Sequence, residues 1–234
     1  MKKLLCFICC LTFGGGWAQK PVAAAQPPVD FESVDSLYRE DQFYLRFTYN
    51  SMLHTPSGYS DARFSPGFGM GFLRDFPFNK ARTWAIAPGL GYSFDSYGNN
   101  LVVQGTYEQP TWSTKPSNSL SKNKYLIHQL ELPIELRWRT STPESHQFWR
   151  VYAGCKLGYR WYQEYVYAAS DDAFVRTQIP NLNRWSLSTY LAAGWNTWNI
   201  YAGYDWLPFF EGASINGTDL HAKAFQVGLM FYIL

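Results

Sequence analysis

The sequence predicts an all-β protein: a single up-and-down antiparallel transmembrane β-barrel of about eight strands, with short periplasmic turns and long extracellular loops. Three observations carry that prediction. Segments alternate a lipid-compatible side chain with a small or charged one, the longest running Gln129-Leu130-Glu131-Leu132-Pro133-Ile134-Glu135-Leu136-Arg137-Trp138-Arg139. Successive strand side chains point to opposite faces, so Leu130, Leu132, Ile134, Leu136 and Trp138 share one surface and Glu131, Glu135, Arg137 and Arg139 the other. Composition is the second observation: aromatic residues make up 19% of the chain and charged residues 16%, against about 25% charged in ordinary soluble domains. A surface so poor in charge suits a solvent other than water. The third is that the connections alternate between brief turns and long polar loops.

The N-terminus has the grammar of an export signal. Lys2 and Lys3 precede an apolar run from Leu4 to Phe13, and Gly16-Trp17-Ala18 offers small residues where a signal peptidase reads before Gln19. Residues 1–18 are therefore expected to be removed. Lipidation at Cys9 or Cys10 is the weaker alternative, because Ile8 and Cys9 stand where a small residue is expected. Cys6, Cys9 and Cys10 leave with the signal; Cys155 remains, with no partner for a disulfide, and is expected to be packed and unreactive. Without Lys2 and Lys3 the 20 basic residues fall to 18, equal to the 18 acidic ones, and nothing in that balance points to nucleic acid. Beyond the signal no stretch approaches the roughly twenty apolar residues of a spanning helix.

Residues 19–41 form a Pro- and Ala-containing lead-in with the acidic stretch 30–36, expected in the periplasm, and 42–234 form the barrel domain. Strands are predicted over 42–53, 63–74, 83–94, 124–139, 148–162, 184–196, 198–206 and 222–234. Small residues mark the inner face: Gly67, Gly69 and Gly71 on the second strand, Gly89 and Gly91 on the third, Gly154 and Gly158 on the fifth. The sixth and seventh are joined by the tight Asn196-Thr197. The eighth alternates Phe225, Val227, Leu229, Phe231 and Ile233 with Gln226, Gly228, Met230 and Tyr232. Short turns at 75–82, 140–147 and 196–197 contrast with the loops at 95–123 and 163–183. Pro66, Pro88 and Pro133 fall inside these strands, so each is expected to mark a β-bulge or a misplaced strand limit.

Tryptophans gather at the strand ends, as in the aromatic girdles of a lipid-facing band: Trp84, Trp138, Trp149, Trp195 and Trp198 toward one rim, Trp161, Trp185 and Trp206 toward the other, with Phe209 and Phe210 beyond. An interior of about eight strands is just wide enough to be filled by side chains. Arg46, Glu131, Glu135, Arg137, Arg150, Lys156 and Arg160 are therefore expected to form a lumen charge network that plugs the barrel. If the turn at 140–147 pairs Trp138 with Trp149, Glu131 lies directly across from Lys156 and Glu135 diagonal to Arg150.

Glu40-Asp41-Gln42-Phe43-Tyr44-Leu45, the segment 71–77 (GFLRDFP), the segment 132–139 (LPIELRWR), Arg150-Val151-Tyr152-Ala153-Gly154 and the terminal 228–234 (GLMFYIL) together resemble the PorT-like, "porin family", outer-membrane barrels. The resemblance runs in order through nearly all of the mature chain. It implies an outer-membrane location in a Gram-negative bacterium, lipid as surroundings and a candidate role among type IX secretion components. It brings no catalytic motif and no cofactor. Likeness to other outer-membrane barrels further implies that Phe225, Val227, Leu229, Phe231 and Tyr232 belong to a C-terminal strand read by the barrel assembly machinery. The competing expectation is a structural or adhesive barrel of the small OmpA or OmpX kind. A porin needs about sixteen to eighteen strands for an aqueous bore. His54, His128, His146 and His221 are scattered; His54 and His221 both fall near the outer rim, but no acidic orienter accompanies them, so no enzyme is expected. No Cys or His cluster has metal-ligand spacing.

Overall fold

A computed structural model describes residues 41–61, 63–140, 149–170 and 172–233; the expected signal peptide and all of the lead-in but Asp41 lie outside the described residues. In chain order the strands are β1 (Gln42–Leu53), β2 (Pro66–Leu73), β3 (Phe76–Pro77), β4 (Trp84–Gly98), β5 (Leu101–Gly105), β6 (Pro110–Thr114), β7 (Leu120–Arg139), β8 (Trp149–Ala169), β9 (Ala173–Arg176), β10 (Trp185–Trp195), β11 (Trp198–Asp205), β12 (Ser214–Ile215), β13 (Thr218–Asp219) and β14 (Lys223–Ile233). The main sheet has ten strands in the order β10-β11-β14-β1-β2-β4-β7-β8-β9, with β3 beside β4. Pairing of β8 with β10 closes it, so with β3 and β9 set aside eight strands ring the barrel, all antiparallel. Closure removes every unpaired edge from the hydrocarbon, where an unsatisfied backbone group costs several kcal/mol.

The alternation works as a two-sided pattern. Leu130, Leu132, Ile134 and Leu136 are exposed to the outside while Glu131, Glu135, Arg137 and Arg139 are buried inside. All eight girdle tryptophans face outward. Trp84 is the Cα partner of Trp138, Trp149 of Trp195, Trp195 of Trp198 and Trp198 of Phe231, a nearly continuous aromatic ribbon at the periplasmic rim. Phe209 and Phe210 depart from expectation: they are buried above the lumen. Cys155 also departs, lying exposed on the lipid-facing side of β8 and not packed inside.

The turn register differs from expectation by two residues. Trp138 pairs with Val151, so Glu131 stands opposite Gly158 and Lys156 opposite Pro133, and Glu135 opposite Gly154. The turn residues 141–148, His146 among them, lie outside the described residues, and Thr140 N–H donates to the Trp149 carbonyl. A two-residue slip leaves every side chain on its face, which is why hydrophobic patterning placed the faces without fixing the register.

The prolines mark no bulge. Pro66 opens β2, which begins there and not at residue 63. Pro88 keeps register but faces the break between β2 and β3, where its carbonyl accepts Arg74 N–H at 2.9 Å. Pro133 lies where the β4–β7 ladder is interrupted, between the Pro88–Ile134 and Gly91–Glu131 pairs. Each missing donor thus falls at a strand start, as at Pro66, or beside a gap in the ladder, as at Pro88 and Pro133. The register shifts of β7–β8 occur elsewhere, at Leu120/Lys122 and His128/Gln129.

The long outer loops are more structured than their Ser, Asn and Pro content suggests. β4 continues to Gly98, β7 starts at Leu120 and β8 runs to Ala169, beyond the expected 94, 124 and 162. The loops add the β5–β6 hairpin, β9 alongside β8, and the β12–β13 hairpin. The last turns on Asn216 and Gly217, with φ of 51° and 77°, the left-handed pair a two-residue hairpin loop requires. Asn196, with φ 54°, does similar service at the periplasmic turn.

Candidate functional site

The lumen is filled in layers. At the periplasmic end Asp75 accepts Arg139 Nη2 at 2.8 Å and Nη1 at 3.0 Å, and Arg137 Nη1 at 3.1 Å. Arg137 Nε reaches Glu135 at 2.8 Å. Glu135 Oε1 also accepts the hydroxyls of Tyr190 and Tyr232, each at 2.8 Å. Arg150 is buried beside the rings of Tyr152 and Tyr232. One step outward, Glu131 accepts Arg46 Nη2 at 2.9 Å, Arg46 Nη1 at 3.2 Å and Lys156 Nζ at 3.0 Å. Nearer the mouth Arg160 Nη2 meets Asp205 at 3.1 Å, while Ser188 Oγ donates to the same carboxylate. Asp95 collects Asn50, Gln226 and Ser93. Between these layers and the mouth remains a cavity of about 10 Å³, room for about one water.

Two components of this filling were not anticipated. Asp75, assigned to a turn, is fully buried and joins Arg137 to Arg139; two arginines on one inner face with too few carboxylates nearby are the sequence signal for it. Buried Tyr44, Tyr152, Tyr190, Tyr201 and Tyr232 form an aromatic cluster around the guanidiniums, with Arg137 4.9 Å from the Tyr152 ring centre and Arg46 5.1 Å from that of Tyr201. The rings of Tyr152, Tyr201 and Tyr232 cover cations, while the hydroxyls of Tyr44, Tyr190 and Tyr232 donate to Glu131 or Glu135. Tyr232, expected only as part of the terminal strand, thus belongs to the network. The glycines make room: a Cβ on Gly91 would fall 2.0 Å from the Tyr44 hydroxyl, and one on Gly154 2.1 Å from Cζ of Tyr190.

Above the lumen the outer loops build an apolar cap. Leu101, Val102 and Val103 of β5, Trp112 of β6, Ile179, Leu182, Phe209, Phe210 and Leu220 are buried against Tyr97, Tyr125, Ile127 and Tyr165 from the strand tops. Trp112 packs on Phe210 with ring centres 4.5 Å apart, and Tyr97 on Phe209 at 4.8 Å. Polar side chains tie loop backbone to the cap: Asn123 Nδ2 donates to the Asn99 and Leu101 carbonyls at 2.8 Å each, Tyr125 Oη to Leu101 at 2.7 Å, and Trp112 Nε1 to Asn181 at 3.1 Å. Outside the membrane-spanning part, Tyr59 donates to Asp61, and burial together with that carboxylate pushes its phenol well above the ordinary range. The consecutive apolar run Leu101-Val102-Val103 and the Asn216-Gly217 dipeptide were the signals for this cap.

Chemically, the interior is an ion-paired plug under an apolar lid. Among the described residues no group of three or more His, Cys, Asp or Glu could hold a metal ion.

A closed eight-stranded barrel with a lipid-facing band, aromatic girdles and a filled polar interior defines a small outer-membrane barrel protein. Residues 17–211 match the family described as outer membrane protein beta-barrel domain, and the chain belongs to that family; it resides in the outer membrane of a Gram-negative bacterium. No curated protein matches it. Among solved structures it is similar to Ail, the attachment invasion locus protein of Yersinia pestis, in complex with the heparin analogue sucrose octasulfate, at 10% identity over 83% of this chain and 99% of that one, with a TM-score of 0.39. For Ail without that ligand named, the values are 12%, 82%, 97% and 0.38.

Proposed function

We propose that this protein is a non-enzymatic barrel that works through its outer face, as an adhesive or envelope-stabilising component, and that it neither conducts solutes nor catalyses a reaction. The folded cap carries this reading. Loops that serve only as connections need no core of their own, whereas these bury Trp112, Phe209 and Phe210 and so hold one shape. A surface held in one shape loses less entropy when a partner docks. The plugged lumen supports the other half of the reading, since among the described residues ion pairs fill the lumen and the cap covers it.

A second reading, a component of type IX secretion, is favoured by the PorT-like segments at 71–77 and 132–139. On either reading residues 1–18 act as export signal and 19–41 as a periplasmic lead-in, and the barrel assembly machinery inserts the chain. A clean deletion in the native host separates the two. If cargo precursors accumulate in the periplasm and the gene restores export, the secretion reading replaces the first. Normal cargo export with weakened surface attachment or a leakier envelope supports the first. Ion conductance well above background in planar bilayers would overturn the closed lumen.

A further inference from the structure

His54, just past β1, and His221, just before β14, line one groove of about 350 Å³ on the outer wall of the barrel, together with Lys223, Trp206 and Pro208. Lys223 is the Cα partner of Leu53 and shares the outward face of β14 with Val227 and Leu229. Trp206 is a member of the outer girdle, so the groove sits at the height where lipid headgroups meet the hydrocarbon.

The electrostatics of the groove are one-sided. The Lys223 ammonium lies 5.6 Å from the centre of the Tyr204 ring and makes no ion pair among the described residues. The Tyr204 hydroxyl is 3.3 Å from Nε2 of His54. Asp61, the carboxylate that reaches this side of β1, is held by the hydroxyls of Ser51 and Tyr59. A cation and two imidazoles with no carboxylate among the lining residues complement an anion that accepts several hydrogen bonds. The indole and the proline wall favour an anion attached to an apolar body. A catalytic use of the two histidines finds no acidic orienter here, and the lining lacks the third ligand a metal would need.

We propose that this groove binds the phosphate of a phosphorylated glycolipid in the outer leaflet, with Lys223 as the charged contact and His54 and His221 as hydrogen-bonding partners. The site anchors the barrel at a fixed depth and leaves the cap free, so it stands whichever reading of the function holds.

The test is native mass spectrometry of the full-length mature protein in neutral detergent, titrated with diphosphoryl lipid A, its dephosphorylated counterpart and inorganic phosphate. The phosphorylated lipid should bind about tenfold more tightly than the dephosphorylated one, the scale of one charged hydrogen bond. Lys223→Met should abolish that preference, Lys223→Arg should retain it, and His54→Gln and His221→Gln should each reduce it several-fold. Lys122→Met, an exposed lysine on β7, should leave it unchanged. Equal binding of the two lipids, or equal loss in Lys122→Met, overturns the site. Displacement of the lipid by millimolar inorganic phosphate overturns the lipid as its source.

Discussion

Replacing Glu131 by glutamine keeps the shape of the lumen and removes one charge. The carboxylate is 1% exposed and takes three charge-assisted hydrogen bonds, two from Arg46 and one from Lys156. Asp95 is the second carboxylate within Coulombic range of both cations, so two positive groups are balanced by two negative ones. Glu131→Gln leaves that balance one positive charge in excess, and the cavity beside Lys156 and Asp95 has room for only about one water. Removing one member of a buried ion pair costs about 3–5 kcal/mol, a large share of the roughly 5–15 kcal/mol that holds a typical domain together. Adding Lys156→Met restores the balance, since Arg46 then faces Asp95 alone. The double variant should lose about 1–2 kcal/mol, less than Glu131→Gln by itself. Urea unfolding from phosphatidylcholine vesicles, followed by tryptophan fluorescence and by the mobility difference between folded and heated protein on gels, measures both values by linear extrapolation. A double variant that loses the sum of its single losses would refute the pairing.

Four further outcomes follow from the same geometry. Asp75→Asn, which strips the shared carboxylate from Arg137 and Arg139, should cost about 3–5 kcal/mol in the same urea assay. Gly91→Ala should cost about 1–3 kcal/mol by overpacking, and Tyr44→Phe should recover part of it, because the hydroxyl is the atom a Cβ would strike. Cys155, on the lipid side of β8, should resist a charged maleimide in intact membranes and react fully once the protein is denatured. Deleting residues 231–234 removes the Phe231 and Tyr232 contacts by which β14 joins β1 and β11; synthesis should persist while membrane insertion, scored by fractionation, is lost.

The wall of the barrel was legible because lipid and lumen impose a strict two-residue alternation: β7 shows five outward apolar residues against four ionised inward ones, and no soluble sheet needs both. Register was not legible, since Glu131 and Lys156 lie on the same face whether directly opposed or one pair apart. The plug was legible in type and not in partners. Glu135 was expected near Arg150, yet its hydrogen bonds run to Arg137, Tyr190 and Tyr232. The two tyrosine contacts cross the barrel between strands far apart in sequence, and no local pattern encodes them. The cap was hidden for a related reason: Asn123, Asn99 and Asn181 read as loop residues, but their side chains bind backbone and neighbouring side chains and let apolar neighbours turn inward.

The length of β8 carries one more consequence. From Trp149 at the inner girdle to Trp161 at the outer is twelve residues, which at about 3.3 Å each and a tilt near 45° rises about 28 Å, close to the roughly 25 Å apolar band of such barrels. The eight residues from Tyr162 to Ala169 continue the strand and add about 19 Å more by the same arithmetic. The protein therefore stands about two nanometres proud of the hydrocarbon. A macromolecule arriving from outside meets β5, β6 and β9 long before it reaches the barrel wall, so antibodies or tethers aimed at that tip should find it on intact cells.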